Sequence, residues 1–105
     1  MQDLIKKIIE FRDDRNWDQF HTPENLAKSI VIEAAELLEN YQWQNPKIDL
    51  ENIKDEIADI FMYSLLFINK YNFDVEDIIL RKLEKNSKKY PVSKAYGKSD
   101  KYNKL

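Results

Sequence analysis

The sequence predicts an all-α fold, and three observations carry this prediction. Apolar residues recur at helical spacing in four separate stretches of the chain. No stretch alternates cleanly between apolar and polar residues, and no Asn-Gly or Asp-Gly pair marks a hairpin turn. The stretches are joined by short connections, which favour antiparallel neighbours. We therefore expect an antiparallel four-helix bundle.

The first two predicted helices lie in the N-terminal half of the chain. The first covers about residues 3–15 and presents one apolar face at helical spacing. Its apolar residues are Leu4, Ile5, Ile8, Ile9 and Phe11. The second begins after Thr22, because Thr22-Pro23-Glu24 provides a capping hydroxyl, a proline at the first helical position and an acid in the first turn. We expect it to run to about Tyr41, since Pro46 allows little extension.

The other two predicted helices are followed by a polar tail. The third covers about residues 49–71, and the fourth begins at the acid-rich turn Asp74-Val75-Glu76-Asp77. The fourth stops before Pro91, because the residue preceding a proline avoids the α region. We predict a helical domain over residues 1–91 and a loosely ordered, basic tail over residues 92–105, which lacks helical periodicity and contains the only glycine.

The scarce residue types exclude several kinds of active site. The chain of 105 residues suits a single domain with a thin core, and it contains no cysteine, one histidine and one glycine. The lack of cysteine excludes disulfides, thiol nucleophiles and thiolate metal sites. One histidine excludes metal sites built from several histidines, and one glycine excludes glycine-rich phosphate loops. Any catalysis therefore depends on carboxylates, amines, hydroxyls or amides.

The charge distribution argues against nucleic-acid polymers and membranes as partners. The net charge is −2, and the tail carries four lysines against one aspartate, so the rest of the chain is more acidic than the whole. Duplex-binding domains normally present a basic face. No run approaches about 18 apolar residues, and the first residues lack the basic and apolar regions of a secretory signal. We expect a cytoplasmic protein.

The third predicted helix indicates self-association. Residues 57–68 are apolar on nearly every side of the helix, and such a helix has to be buried all round. Four helices of this length can hardly enclose it within one chain. We therefore expect a homo-oligomer, either a homodimer or a homotetramer.

Two pairs of acids interrupt the apolar stretches of the second and third helices. Glu33 and Glu36 are three residues apart, as are Glu56 and Asp59, so each pair shares a helix face. No lysine or arginine stands three or four residues from any of these acids. Half-buried carboxylates are costly unless something compensates them. The spacing leaves two explanations open, namely ion pairs with lysine or arginine of another helix, or a metal site.

If the four acids converge, they form an all-oxygen, anionic site for a hard divalent cation. Such ligands suit Mg²⁺, with Mn²⁺ as the alternative, and do not suit zinc or copper. Magnesium held by carboxylates usually keeps coordination positions for water and substrate phosphates. The reaction class that this implies is metal-assisted hydrolysis of a phosphoryl or nucleotidyl group.

These residues also resemble a known family. Glu33-Ala34-Ala35-Glu36 followed by Glu56-Ile57-Ala58-Asp59 resembles the ExxE…ExxD signature of the MazG-like all-α nucleotide pyrophosphohydrolases. The run WDQFHTPENL over residues 17–26, together with residues 39–43 and 86–91, is similar to the dCTP pyrophosphatase branch of that family. The resemblance implies a Mg²⁺-dependent enzyme that cleans the nucleotide pool. It would hydrolyse a dCTP-like nucleoside triphosphate to the monophosphate and pyrophosphate.

The resemblance further implies roles for individual residues. Glu33, Glu36, Glu56 and Asp59 would bind the metal, and Glu33 or Glu36 would accept the proton of the attacking water. The implied substrate-binding residues are Trp17, His21, Asn25, Trp43, Tyr63, Lys82, Asn86 and Lys89. Of these, the aromatic residues and Asn25 are expected at the base or sugar, and the last three, on one face of the fourth helix, at the phosphates.

Two alternative functions fit the same pattern. The chain could act on a different or broader set of nucleoside triphosphates by the same chemistry. It could also be a non-enzymatic helical oligomerisation module whose acids pair with lysine and arginine across its interface. The sequence leaves open the base preference, the choice between dimer and tetramer, the number of metal ions and whether the tail closes over the ligand.

Overall fold

The computed structural model of the chain describes residues 1–43 and 47–105, and it is all-α over those residues. Its four long helices are α1 (Gln2–Asp14), α2 (Pro23–Glu39), α3 (Leu50–Lys70) and α4 (Val75–Lys89). A one-turn helix, α5, covers Val92–Ala95, and two short 3₁₀ turns cover Asp18–Phe20 and Tyr102–Lys104. The all-α class is confirmed, and each long helix begins and ends within two residues of its predicted bounds. The expectation that Pro46 limits α2 lies outside the described residues.

Three of the long helices begin with a side-chain cap that the sequence encodes. Thr22 Oγ1 accepts a hydrogen bond from the backbone N–H of Asn25 at 3.1 Å at the start of α2. Asp49 caps α3 at 3.1 Å and Asp74 caps α4 at 2.8 Å in the same way. Each cap satisfies a backbone donor that the helix itself leaves unpaired, so these residues fix where the helices begin.

Residues 1–72 form the first of two compact units, in which α3 packs against both α1 and α2. The buried apolar residues in the described part of the chain are Ile8, Leu26, Leu65 and Leu66. Of the residues that the structure describes, Leu26 alone is completely buried, with 0% of its surface exposed. The core is therefore as thin as the chain length predicts.

The exposed surface of α3 agrees with the prediction that one chain does not cover this helix. Leu65 and Leu66 are buried, but Phe61 is 60% exposed, and Ile57 and Met62 are exposed as well. Self-association itself stays a prediction. None of the helices in the described part of the chain is long and apolar enough to cross a lipid bilayer.

Residues 73–105 form the second compact unit. The surface of α4 carries ion pairs one turn apart, such as Arg81 with Asp77 at 2.9 Å. After α4, the tail has more local structure than its lack of periodicity suggests, because a single turn is too short to produce a periodic pattern. The ring of Tyr102 packs edge-on against Tyr90 with centroids 6.1 Å apart. The division into a domain over residues 1–91 and a tail over 92–105 stays a prediction.

Candidate active site

Three acidic side chains from two helices converge in the first unit. Glu33 lies on α2, and Glu56 and Asp59 lie on α3. One carboxylate oxygen from each of the three lies within 4.8 Å of the other two, and all three residues are half-buried. They meet because α2 and α3 pack together and because Glu56 and Asp59, three residues apart, share a helix face. We call these three residues the carboxylate cluster.

Glu36, the fourth predicted ligand, lies beside the carboxylate cluster. Its oxygens are not part of the three-way group, but its carboxyl group interacts with those of Glu33 and Glu56 and raises the pKa of both. Glu36 is also half-buried. The structure therefore brings all four predicted acids to one place, with three of them in mutual contact range.

Burial and like charge raise the pKa of two acids in this cluster. Burial, followed by the carboxyl groups of Glu36 and Glu56, raises the pKa of Glu33 to about 7. Burial also raises the pKa of Glu56. Glu33 Oε2 and Glu56 Oε2 are buried, and neither has a hydrogen-bond donor among the described residues. Two ionised carboxylates offer only acceptors, so they satisfy each other only when they share a proton or a cation.

The oxygen ligands that the carboxylate cluster offers fit a hard divalent cation. The ion pairs seen among the described residues use other acids, namely Asp13, Asp18, Glu24, Glu51, Asp77 and Glu84. The ion-pair explanation therefore has no support inside the described part of the chain. Carboxylate oxygens without protein donors are the ligands that Mg²⁺ and Mn²⁺ prefer.

A cavity of about 340 Å³ adjoins the carboxylate cluster. Its α3 wall is formed by Asp59, Met62, Tyr63 and Leu66, which share one helix face because they are spaced three, four and seven residues from Asp59. Its other lining residues are Ile8, Phe11, Arg12, Trp17 and His21. Asp59 belongs to both the cavity and the cluster, so a ligand in the cavity has one end beside the carboxylates. The volume is in the range of small-molecule sites.

Four aromatic rings form a continuous series along the cavity. Phe11 packs edge-on against Trp17 with centroids 5.8 Å apart, Trp17 against His21 at 6.5 Å, and His21 against Tyr63 at 6.4 Å. Of these residues, Trp17, His21 and Tyr63 are predicted substrate-binding residues. The structure therefore brings three of the predicted residues together around one space.

The side chains of His21 and Tyr63 are uncharged at neutral pH. Burial lowers the pKa of His21, and the nearby cations Arg12 and Lys70 lower it further. Burial also raises the pKa of the Tyr63 hydroxyl, helped by the charges of Glu33 and Asp59. His21 Nδ1 is buried and has no hydrogen-bond partner among the described residues. A neutral imidazole and a phenol can each donate or accept, which suits the polar edge of a neutral ligand.

Two other predicted residues, Asn25 and Trp43, do not line this cavity. The side-chain amide of Asn25 donates to the Phe20 carbonyl at 3.0 Å, so it makes a local contact at the start of α2. Trp43 is 75% exposed and lies beside a smaller depression lined by Glu39, Asn40, Lys47 and Asp49.

The predicted phosphate-contacting residues lie on α4, in the second compact unit. Lys82 and Asn86 line a shallow, open depression on one side of α4 together with Ile78, Ile79 and Leu83. The Lys89 ammonium lies 4.9 Å from the centroid of the Tyr102 ring. The predicted spacing on one helix face is thus observed for Lys82 and Asn86, and their function stays a prediction.

Sequence reasoning missed several residues of the cavity, namely Ile8, Phe11, Arg12, Met62 and Leu66. The four apolar ones look like ordinary core residues in a sequence. Arg12 did leave a signal, because it is a cation at a position that continues the apolar stripe of α1, four residues after Ile8. The acids in the apolar stretches of α2 and α3 give the same kind of signal, namely a charged residue on an otherwise apolar helix face.

The geometry can be compared with known proteins. The sequence model of the MazG-like family matches residues 28–105, which include all four acids of the site. The chain belongs to the MazG-like family. This result confirms the resemblance that the two acidic motifs predicted.

Relatives of this MazG-like chain agree with its predicted enzyme class. The dCTP pyrophosphatase 1 of Bos taurus is 30% identical over 115 residues, spanning 100% of this chain and 68% of the relative. The dCTP pyrophosphatase 1 of Mus musculus is 28% identical over 114 residues, spanning 100% of this chain and 67% of the relative. A pyrophosphatase from Archaeoglobus fulgidus, known from a crystal structure, shares 39% identity with a TM-score of 0.81, over 87% of this chain and 92% of its own. The prediction of a nucleoside triphosphate pyrophosphohydrolase is confirmed.

Proposed function

We propose that this chain hydrolyses a deoxynucleoside triphosphate of the dCTP type to the monophosphate and pyrophosphate. The observation that carries this proposal is the shared position of Asp59, which belongs both to the carboxylate cluster and to the aromatic cavity. One ligand can therefore place its triphosphate beside the acids and its base among the rings. The dCTP pyrophosphatases among the relatives support the choice of substrate.

The cofactor of the proposed reaction is Mg²⁺, with Mn²⁺ as the alternative. The ligands would be Glu33, Glu56 and Asp59, whose oxygens converge, together with Glu36, which interacts with two of them. Two of these carboxylate oxygens are buried without a donor among the described residues. When bound, the ion neutralises phosphate charge and lowers the pKa of a coordinated water.

The acids also provide the general base in this proposal. Glu33 or Glu36 would accept the proton of the water that attacks the α-phosphorus. A general base needs hydrogen-bond reach and a pKa near the working pH. In the metal-free protein, burial and its acidic neighbours raise the pKa of Glu33 to about 7. Glu36 lies close enough to the other acids to take the same role.

The aromatic residues would bind the nucleoside part of the substrate. Trp17 and Tyr63 offer ring surface, and His21 offers a buried ring nitrogen without a partner among the described residues. Stacking of a base on such rings is favourable for every base, so it provides affinity without much selectivity. We retain Asn25 and Trp43 as further nucleoside contacts and Lys82, Asn86 and Lys89 as phosphate contacts, on the strength of the family resemblance.

We also propose that the active protein is a homodimer or homotetramer. Apolar side chains on α2 and α3 are exposed in the single chain, among them Val31, Ile32, Leu38 and Phe61. Exposed apolar side chains in this number are typical of a surface that is covered in an assembly. A second copy of the chain is the partner that the apolar sequence of α3 led us to expect.

Substitution of one metal ligand tests the proposed function. We expect Asp59→Asn to lower the rate of pyrophosphate release from dCTP with Mg²⁺ by about 10²–10⁴-fold, because the variant loses a charged ligand at the junction of cluster and cavity. The matched control is Asp55→Asn, which removes an exposed acid from the same helix. Both variants should keep the helical circular dichroism of the wild type. Equal activity of the two variants would contradict the proposal.

A further inference from the structure

Arg12 is a charged residue inside the apolar stripe of α1, and the proposed function gives it no role. It stands four residues after Ile8 and seven after Ile5, so it shares their helix face. Its side chain is only 11% exposed, and it lines the cavity together with Ile8 and Phe11. A guanidinium is rarely buried to this degree without partners that use its donors.

The guanidinium of Arg12 keeps donors that no described residue uses. Its Nε donates to Asp13 Oδ1 at 2.8 Å, and its Nη1 lies 3.2 Å from Asp18 Oδ1. For Nη2, which carries two N–H groups, the described part of the chain shows no acceptor. Because Arg12 lines the cavity, these N–H groups are available to a ligand that brings acceptor atoms to this wall.

The ion pairs of Arg12 link it to the part of α3 that lies beyond Asp59. Asp18 Oδ1 also binds Lys70 Nζ at 2.5 Å, so Arg12 and Lys70 share one oxygen. Lys70 lies eleven residues beyond Asp59 on α3, which is about 16 Å of helix. A nucleotide whose phosphates lie beside Asp59 therefore extends its base toward Arg12.

The charges around Arg12 favour a neutral acceptor over a phosphate. Asp13 and Asp18 both contact its guanidinium, and they already neutralise much of its positive charge. A carbonyl oxygen or an unprotonated ring nitrogen still gains from the N–H groups of Nη2, because a charged donor makes a stronger hydrogen bond than a neutral one.

We propose that Arg12 determines base specificity by donating hydrogen bonds to the acceptor edge of the base. The proposal rests on the proposed function, since that function puts a base in the cavity. Cytosine presents its O2 and its unprotonated N3 side by side, whereas uracil and thymine carry a proton on N3. A guanidinium facing that edge meets two acceptors in cytosine, but one acceptor, O2, and one donor, N3–H, in the other two bases. Arg12 thus adds selectivity for cytosine to the unselective stacking of the aromatic rings.

The first test compares kcat/KM for dCTP, dTTP and dUTP in wild type, Arg12→Met and Arg12→Lys. We expect both variants to lose about 10- to 100-fold on dCTP, mainly through KM, with little change on dTTP and dUTP, because neither side chain has the planar donor pair. Arg12→Lys keeps the positive charge beside Asp18, so it separates loss of base contact from loss of the ion pair. Lys70→Met is the matched control, because it removes the other cation on Asp18 and leaves Arg12 in place. An equal loss on all three nucleotides would overturn the proposal.

A second test needs neither metal nor hydrolysis. We expect deoxycytidine to bind wild type more tightly than thymidine in calorimetry, and Arg12→Met to remove this preference while its far-UV circular dichroism is unchanged. If wild type hydrolyses no nucleoside triphosphate, the proposed function fails and this measurement still decides the role of Arg12. An unchanged affinity of Arg12→Met for deoxycytidine would overturn the assignment.

Discussion

At the scale of single residues, Glu33 is a side chain whose protonation is set by its neighbours. Burial and two acidic partners raise its pKa from an ordinary value of 4.5 to about 7. Between these two pH values the folded, metal-free protein keeps a proton on Glu33 that the unfolded chain has released. Stability rises with pH only where the unfolded state binds more protons, so the contribution of Glu33 falls as the pH rises.

The raised pKa of Glu33 leads to a prediction for the stability of the metal-free protein. In a chelator, the free energy of unfolding contributed by Glu33 should be fully present below pH 4.5 and should be lost as the pH rises through about 7. The lowered pKa of His21 makes the stability of the protein rise with pH, which opposes the effect of Glu33. Both proteins contain His21, so the quantity to compare is the difference in free energy of unfolding between wild type and Glu33→Gln. We expect Glu33→Gln to gain stability relative to wild type from pH 5.5 to 8 in urea titrations. A difference that does not vary with pH would contradict the raised pKa.

The sequence pattern identifies some residues of the site and leaves others ambiguous. The four acids were predictable because carboxylates inside apolar helical stretches are unusual, and no cation stood within one turn of them. Tyr63 and Trp43 could not be separated in the same way, since both are aromatic residues near an acidic motif. Only the packing decides between them: Tyr63 lies four residues after Asp59 and faces the cavity, whereas Trp43 follows the end of α2 and is exposed.

At the scale of elements, the helix ends follow from local chemistry. Thr22, Asp49 and Asp74 each accept a hydrogen bond from the backbone N–H three residues later. The cap of α2 has a further consequence, because the turn before it carries Trp17 and His21 into the cavity wall. This turn is anchored at its other end by Asp18, which binds cations from both α1 and α3.

Removal of the α2 cap should therefore have a measurable cost. We expect Thr22→Ala to lower the free energy of unfolding by about 1 kcal/mol, because the N–H of Asn25 loses its acceptor. Thr22→Ser keeps a hydroxyl at the same place and should unfold close to the wild type. Urea unfolding followed by circular dichroism measures both variants. Equal stability of the alanine and serine variants would show that the hydroxyl does not hold the cap.

The elements were more predictable than the cavity between them, for a physical reason. Helix periodicity, caps and stop signals act within a few residues, so the sequence contains them directly. The cavity depends on how α1 and the turn after it pack on α3, which is a tertiary property. Phe11 and Leu66 each look like core residues in the sequence, and Arg12 looks like a surface charge until its helix face is known.

At the scale of the whole molecule, the thin core and the exposed apolar side chains belong together. Only a few side chains are buried in the described part of the chain, and α3 leaves Phe61 largely exposed. A second copy of the chain would add the buried area that a small domain lacks.

We therefore expect the wild type to sediment as a dimer or tetramer at micromolar concentration. Phe61→Glu should shift the distribution toward monomer, because a buried charge without a partner is unfavourable in an interface. Tyr96→Glu is the control, since it places the same charge at an exposed aromatic position in the second unit. A wild type that is monomeric at this concentration, or a Phe61→Glu variant that assembles normally, would contradict the proposed self-association.

We propose that this member of the MazG-like family directs water to the α-phosphorus of a dCTP-like substrate. Hydrolysis of dCTP in ¹⁸O-labelled water with Mg²⁺, analysed by mass spectrometry of both products, shows which phosphorus the water attacks. We expect one labelled oxygen in the monophosphate and none in pyrophosphate. Label in pyrophosphate, or release of a diphosphate and inorganic phosphate, would contradict it.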